Sequence, residues 1–139
     1  MELSYLEKQN LLKAKFSNCK SKEEIYQKII SLGQTLPHLD EKNKAEKNLV
    51  PGCQSIVYLH SFLKGKRIFF QSESNALISA GLAYLLISVY SGEKAETILK
   101  CPPDYLEELE ITTSITPARS NGLANIYLKM KQDTIKLIT

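Results

Sequence analysis

Apolar side chains recur at helical spacing through the first part of the chain. Leu3, Leu6, Leu11, Leu12 and Phe16 form a loose stripe among Lys, Glu, Gln and Asn, which predicts a helix over 2–16. Ser21-Lys22-Glu23-Glu24 reads as a capping box, the Ser21 hydroxyl accepting from the third amide while Glu24 reaches back. Ile25, Ile29, Leu32 and Leu36 continue on one face, so a second helix ends over 33–36, before Pro37. Residues 38–48 carry almost no apolar side chains and mixed charge, the pattern of a solvated connection.

The period then changes. Ile56, Val57, Tyr58, Leu59, Phe62 and Leu63 are β-branched, aromatic or aliphatic, Lys64-Gly65-Lys66 is a turn, and Arg67-Ile68-Phe69-Phe70-Gln71 follows. This predicts a β-hairpin. A two-stranded ribbon is marginal alone, so one face must pack on helices, with the 40s as candidate third strand.

From 74 to 92 no residue is charged, which raises either a buried central helix or a membrane span. Asn75, Gly81, Gly92 and four serines lower its hydropathy, and Glu73 and Glu93 flank it without a positive bias, so the core helix is preferred. Ser74 is the expected N-cap, Gly92 the stop, and Gly81 a point of close approach to a neighbouring element. A short helix over 93–100 is closed by Cys101-Pro102-Pro103, and Pro103 at a first helical position opens another through Leu109. Asp104, Glu107, Glu108 and Glu110 read as a solvated face, an acidic partner-facing patch being the alternative. Thr116-Pro117 starts a final helix, on which Leu123, Ile126, Tyr127 and Met130 recur at i, i+3, i+4 and i+7. The fold class expected is α+β, a small antiparallel sheet packed against several helices in one domain over 1–139.

Composition changes this picture little. With 139 residues, 43% hydrophobic and 24% charged, the chain has the make-up of an ordinary globular domain with a real core. Its net charge of +3 comes with no basic block interleaved with aromatics, so a nucleic-acid surface is not indicated. Cys19, Cys53 and Cys101 are odd in number and form no CxxC pair, which argues against a disulfide framework or a zinc ribbon and for a reducing cytoplasm. The opening Met1-Glu2-Leu3-Ser4 lacks the pattern of a signal peptide. A monomer or a homodimer is compatible with the chain.

The candidate chemistry sits in Asn48-Leu49-Val50-Pro51-Gly52-Cys53-Gln54-Ser55. Pro51-Gly52 bends the chain and Cys53 follows immediately, a thiol on a polar turn where reactivity explains the position better than packing. Exposed turn amides are expected to lower its pKa, and the bland alternative is an inert exposed thiol. His38 and His60 have no recognisable catalytic partner, and no paired-carboxylate, phosphate-loop or HExxH pattern occurs. Cys19 and Cys101 read as structural; a metal site would need all three cysteines to converge from distant loops. Arg119 stands in the first turn of the last helix, against the helix dipole. A salt bridge to the acidic run is one explanation, and a role beside Cys53 is the other.

Four motifs together resemble a known family: Leu32-Gly33-Gln34-Thr35-Leu36-Pro37, Val50-Pro51-Gly52-Cys53-Gln54-Ser55, Ser74-Asn75-Ala76 with Gly81-Leu82, and Ile115-Thr116-Pro117-Ala118-Arg119-Ser120-Asn121-Gly122-Leu123. End to end, the chain resembles SufE-type sulfur acceptors. The resemblance implies an α+β fold like that of the IscU scaffolds and a cytoplasmic role in iron-sulfur cluster assembly. Cys53 would accept sulfane sulfur as a persulfide from a pyridoxal-phosphate-dependent cysteine desulfurase of the SufS type. The chain would stimulate that desulfurase and pass the sulfur to a SufBCD-like scaffold. It would carry no cofactor or metal and cleave no carbon-sulfur bond itself. By the same resemblance, Gly52, Gln54 and Ser55 shape the acceptor turn, Arg119 matches the family's arginine in the last helix, and Asn75 stands where the family often has Asp. The alternatives are an IscU-like iron-sulfur scaffold, which needs several ligands around the cysteine, and a thiol-dependent hydrolase.

Overall fold

The uncharged stretch forms helix α3 (Leu77–Tyr90), around which the other elements are laid in this computed structural model describing residues 3–139. Leu82, Ala83, Leu85, Leu86, Val89 and Tyr90 are all buried. Before it come α1 (Tyr5–Lys15), α2 (Lys22–Gly33) and a hairpin of β1 (Val57–Lys64) and β2 (Arg67–Ser74). After it come β3 (Glu93–Lys94), α4 (Ala95–Lys100), α5 (Tyr105–Glu108) and α6 (Pro117–Ile138). The fold is α+β, and among the described residues no helix is long and apolar enough to cross a membrane.

The hairpin is antiparallel, Val57 facing Ser74 and Lys64 facing Arg67, with Gly65 in the turn at φ +65. The third strand comes from 93–94 and pairs with β2, giving the order β1-β2-β3. The sequence had pointed to the 40s for that strand and to a helix beginning at 93. The reason lies in Gly92: its φ of +87 ends α3, its N–H donates to the Ile68 carbonyl at 2.7 Å, and the chain is thereby returned along β2 before α4 begins. Ser74 does not cap α3 either. Its backbone is still in the ladder, its hydroxyl donates to the Ile56 carbonyl at 2.7 Å, and the helix starts after Ala76, which has no side-chain cap.

The 38–48 connection is better anchored than its polarity suggests. It forms two 3-10 turns, Glu41–Asn43 and Glu46–Asn48, and buries Leu39 and Asn48. The Glu73 carboxylate of β2 accepts from the Leu39 amide (2.9 Å), pairs with Lys44 (2.9 Å) and contacts His38 Nδ1 (3.3 Å). From the 40s, Leu49 pairs with the sheet as an isolated bridge to Tyr58, and no strand forms there.

Helices α1, α2 and α6 start at side-chain caps. In α1, Ser4 and Glu7 make a reciprocal capping box; Glu2, within the predicted first helix, lies outside the described residues. In α2, Ser21 accepts from the Glu24 amide (3.1 Å), but the Glu24 carboxylate takes the Ser21 hydroxyl (3.3 Å) rather than its amide. Helices α2 and α3 touch backbone to backbone: a Cβ at Gly33 would run into the Gly81 backbone, and one at Gly81 into the Ile29 carbonyl. Helix α5 begins after Asp104, two residues later than Pro103 predicted. Tyrosine hydroxyls tie this end together, Tyr90 donating to the Cys101 carbonyl (2.6 Å) and Tyr127 to that of Ile98 (2.9 Å). Helix α6 is capped by Thr116 with Pro117 at its first position, and of the four positions the spacing singled out it buries Leu123, Ile126 and Met130 and half-buries Tyr127.

Candidate functional site: a shielded thiol on a loop

The loop at 51–56 leaves and rejoins the sheet edge at one point. The Val50 amide donates to the Val57 carbonyl at 2.9 Å, and Leu49 bridges Tyr58, so the ends are pinned and Cys53 lies at the tip. Gly52 has φ +76, a left-handed conformation that glycine adopts without penalty.

The loop folds back on the first turns of α6. The Cys53 thiol is half-buried and rests against the Gly122 carbonyl at 3.8 Å, the distance of a weak S–H···O contact. Asn125 Nδ2 donates to the Gly52 carbonyl at 3.1 Å. Arg119 Nη1 donates both to Ser55 Oγ and to the buried Ser79 Oγ of α3, each at 3.0 Å. Among the described residues Arg119 pairs with no carboxylate; from the acidic run, Glu108 pairs with Lys13 of α1 instead. The cation in the first turn is therefore explained by the loop and by α3, not by the acidic face.

These contacts set the thiol's acidity. Burial pushes the Cys53 thiol up from its ordinary value of 9.0, and the Arg119 charge opposes that rise only in part. At neutral pH the resting group is a protonated thiol. This corrects the expectation that turn amides would lower its pKa: the loop is packed on α6, and burial of the thiol raises it.

Of the residues singled out from sequence, Cys53, Gly52, Ser55 and Arg119 come together. Gln54 is exposed and, among the described residues, makes no hydrogen bond. Asn75 is exposed in the bend between β2 and α3, next to Ser74, and among the described residues makes no hydrogen bond to the thiol. His38 faces Glu73, while His60 stacks on Phe62 at 5.5 Å, its pKa pushed down by burial and by Lys47 and Lys42. Cys19 and Cys101 are half-buried free thiols, and among the described residues no three His, Cys, Asp or Glu side chains gather as a metal ligand set. Sequence reasoning passed over Ser79, Gly122 and Asn125 as site residues. Asn125 carried the one usable signal, since Asn inside a helix competes with the backbone for hydrogen bonds and invites a reason.

Among the described residues the arrangement presents the Cys53 thiol with the Arg119 cation nearby and no hydrogen bond from the thiol to a histidine or carboxylate. The family profile of the Fe-S metabolism associated domain, SufE, matches residues 10–134. The "Cysteine desulfuration protein SufE" of Wigglesworthia glossinidia brevipalpis is 35% identical over 130 residues, covering 92% of this chain and 90% of that one. The "SufE-like protein 1, chloroplastic/mitochondrial" of Arabidopsis thaliana is 32% identical over 113 residues, 81% of this chain but 30% of the much longer relative. In fold, the chain is similar to a solution structure of a hypothetical protein from Thermus thermophilus, with TM-score 0.76, 22% identity, and 94% and 95% of the two chains covered.

Proposed function

The chain belongs to the SufE family, and from that premise we propose that it is a sulfur acceptor for a pyridoxal-phosphate-dependent cysteine desulfurase, with Cys53 as the accepting residue. The observation that carries the assignment is a single thiol at a loop tip, protonated and shielded at rest, with neither a base nor metal ligands gathered around it among the described residues. Such a thiol does nothing until the loop moves, which suits a group whose reaction partner arrives on another protein.

When the loop leaves α6, the thiol regains water, the burial penalty on its anion falls, and a proton passes to solvent. The Cys53 thiolate attacks the terminal sulfur of the desulfurase persulfide. The bond between that sulfur and the desulfurase cysteine breaks, its electron pair leaves on the desulfurase as a thiolate, and Cys53 retains the transferred sulfur as a persulfide. Arg119 favours an anion at this position in either form. Passage of the sulfur to a SufBCD-like scaffold follows by the same exchange. Gln54 within the loop and Asn75 in the bend after β2 are both exposed, which supports a role for them in meeting the partner rather than in holding the thiol. The IscU-like alternative is less well supported, because Arg119, Ser55 and the Gly122 carbonyl stand where further ligands would be needed.

The test is to incubate the chain with a cysteine desulfurase and sulfur-labelled cysteine and to map the label by mass spectrometry. We expect one added sulfur on Cys53, absent from Cys53→Ser, with an unchanged unfolding midpoint. Label on Cys19 or Cys101 instead, or its survival in Cys53→Ser, overturns the assignment.

A further inference from the structure

Besides the Ser74 hydroxyl on the Ile56 carbonyl, three contacts among the described residues hold the Cys53 loop against α6. On the return limb, Ser55 is fixed by the Arg119 guanidinium, which is itself anchored to buried Ser79. On the outgoing limb, the side chain that holds the Gly52 carbonyl is Asn125. Between them, the thiol's own contact with the Gly122 carbonyl is long and weak. Among the described residues the Asn125 amide makes no other hydrogen bond, and it occupies the space a side chain at residue 52 would fill, since a Cβ there would lie 2.5 Å from Nδ2. An asparagine at this helix position costs helix propensity relative to alanine, and the Gly52 contact is the compensating gain.

We propose that Asn125 is a positioning residue: its amide latches the outgoing limb to α6 and keeps Cys53 shielded, while Ser55 and Arg119 form the pivot about which the limb swings out. A docking desulfurase has one exposed neutral hydrogen bond to break, and the charged anchor can stay in place. The purpose of the latch rests on the sulfur-acceptor reading, but its existence does not. The only charged group acting on the thiol among the described residues is Arg119, on the pivot side, so opening the latch changes the thiol's solvation and leaves its main electrostatic partner in place.

The experiment compares the full-length chain with Asn125→Ala and with Asn125→Leu, which keeps the branched shape but has no donor. Each is alkylated with iodoacetamide across a pH series, and Cys53, Cys19 and Cys101 are followed separately by peptide mass spectrometry. Removing one net hydrogen bond raises the open fraction, so Cys53 alkylation at neutral pH should rise roughly two- to twelvefold in both variants. The Cys53 pH profile should also move toward lower pH, with Cys19 and Cys101 unchanged. An unchanged Cys53 rate and profile overturns the latch. So does an equal rise at all three cysteines, which reports general loosening. Because this readout needs no desulfurase, a chain that shows the latch and yet takes up no labelled sulfur refutes the acceptor function alone.

Discussion

Arg119 stands where a helix dipole disfavours a cation, and three hydrogen-bonding groups explain why it stays: the Thr116 cap on its own amide, and Ser55 and Ser79 on its guanidinium. Arg119→Met removes the charge and leaves the buried Ser79 hydroxyl unpaired, a loss of about 1–3 kcal/mol in unfolding free energy. The charge holds the thiol pKa below where burial alone would put it. Its removal should therefore move the pH profile of Cys53 alkylation upward, opposite to the shift expected when Asn125 is replaced. A downward shift in Arg119→Met would mean that loop opening, not the field of the guanidinium, controls the thiol. The two variants thus separate solvation from charge at a single atom.

At the scale of elements, the loop is precise only because α3 and α6 are. Helix α3 supplies Ser79, and its own place is set by the close approach of Gly81 to Ile29 of α2. Gly81→Ala sets two effects against each other. Alanine gains about 1 kcal/mol of helix propensity, whereas forcing a methyl into a packed contact costs about 1–3 kcal/mol, at the upper end here because the obstructing atom is a backbone carbonyl that cannot rotate away. The clash wins, and a lower denaturant midpoint is the expected result. An unchanged or higher midpoint would show that α2 slides to make room. Helix α6 was legible from its cap and apolar period, and so was the hairpin. The short β3 was not, because two residues carry no period and their pairing depends on where Gly92 turns the chain.

For the whole molecule, Glu73 joins parts of the fold far apart in sequence: it sits on β2 and holds the connection that leads into the Cys53 loop. Lys44 and the Leu39 amide hold its carboxyl below the ordinary value of 4.5. A depressed folded-state pKa means the stabilisation is present above that ordinary value and is lost as pH falls through the folded one. Glu73→Gln should cost roughly 1 kcal/mol at neutral pH, and the gap from wild type should close in acid, below the usual carboxylate range. Denaturant titrations of both proteins at neutral and acidic pH check this; a gap that stays constant with pH would mean that the lost stability is not ionic.

The sequence by itself determined the α+β class, the long helices, the hairpin and which cysteine stands on a turn. Each of these depends on side-chain period or on turn chemistry within a few neighbours, and proline, glycine and a polar flank around one cysteine are a local statement. It also made Gly81 and Arg119 conspicuous, as residues that break the local rule of their helices. Only the tertiary structure decided what they serve. Whether a loop thiol is acidic or shielded depends on what lies across from it, and here that is α6, which brings Gly122 and Asn125 against a loop about seventy residues earlier in the chain. The resting state of Cys53 is set by that non-local packing and the water it excludes, quantities that no stretch of neighbouring residues encodes.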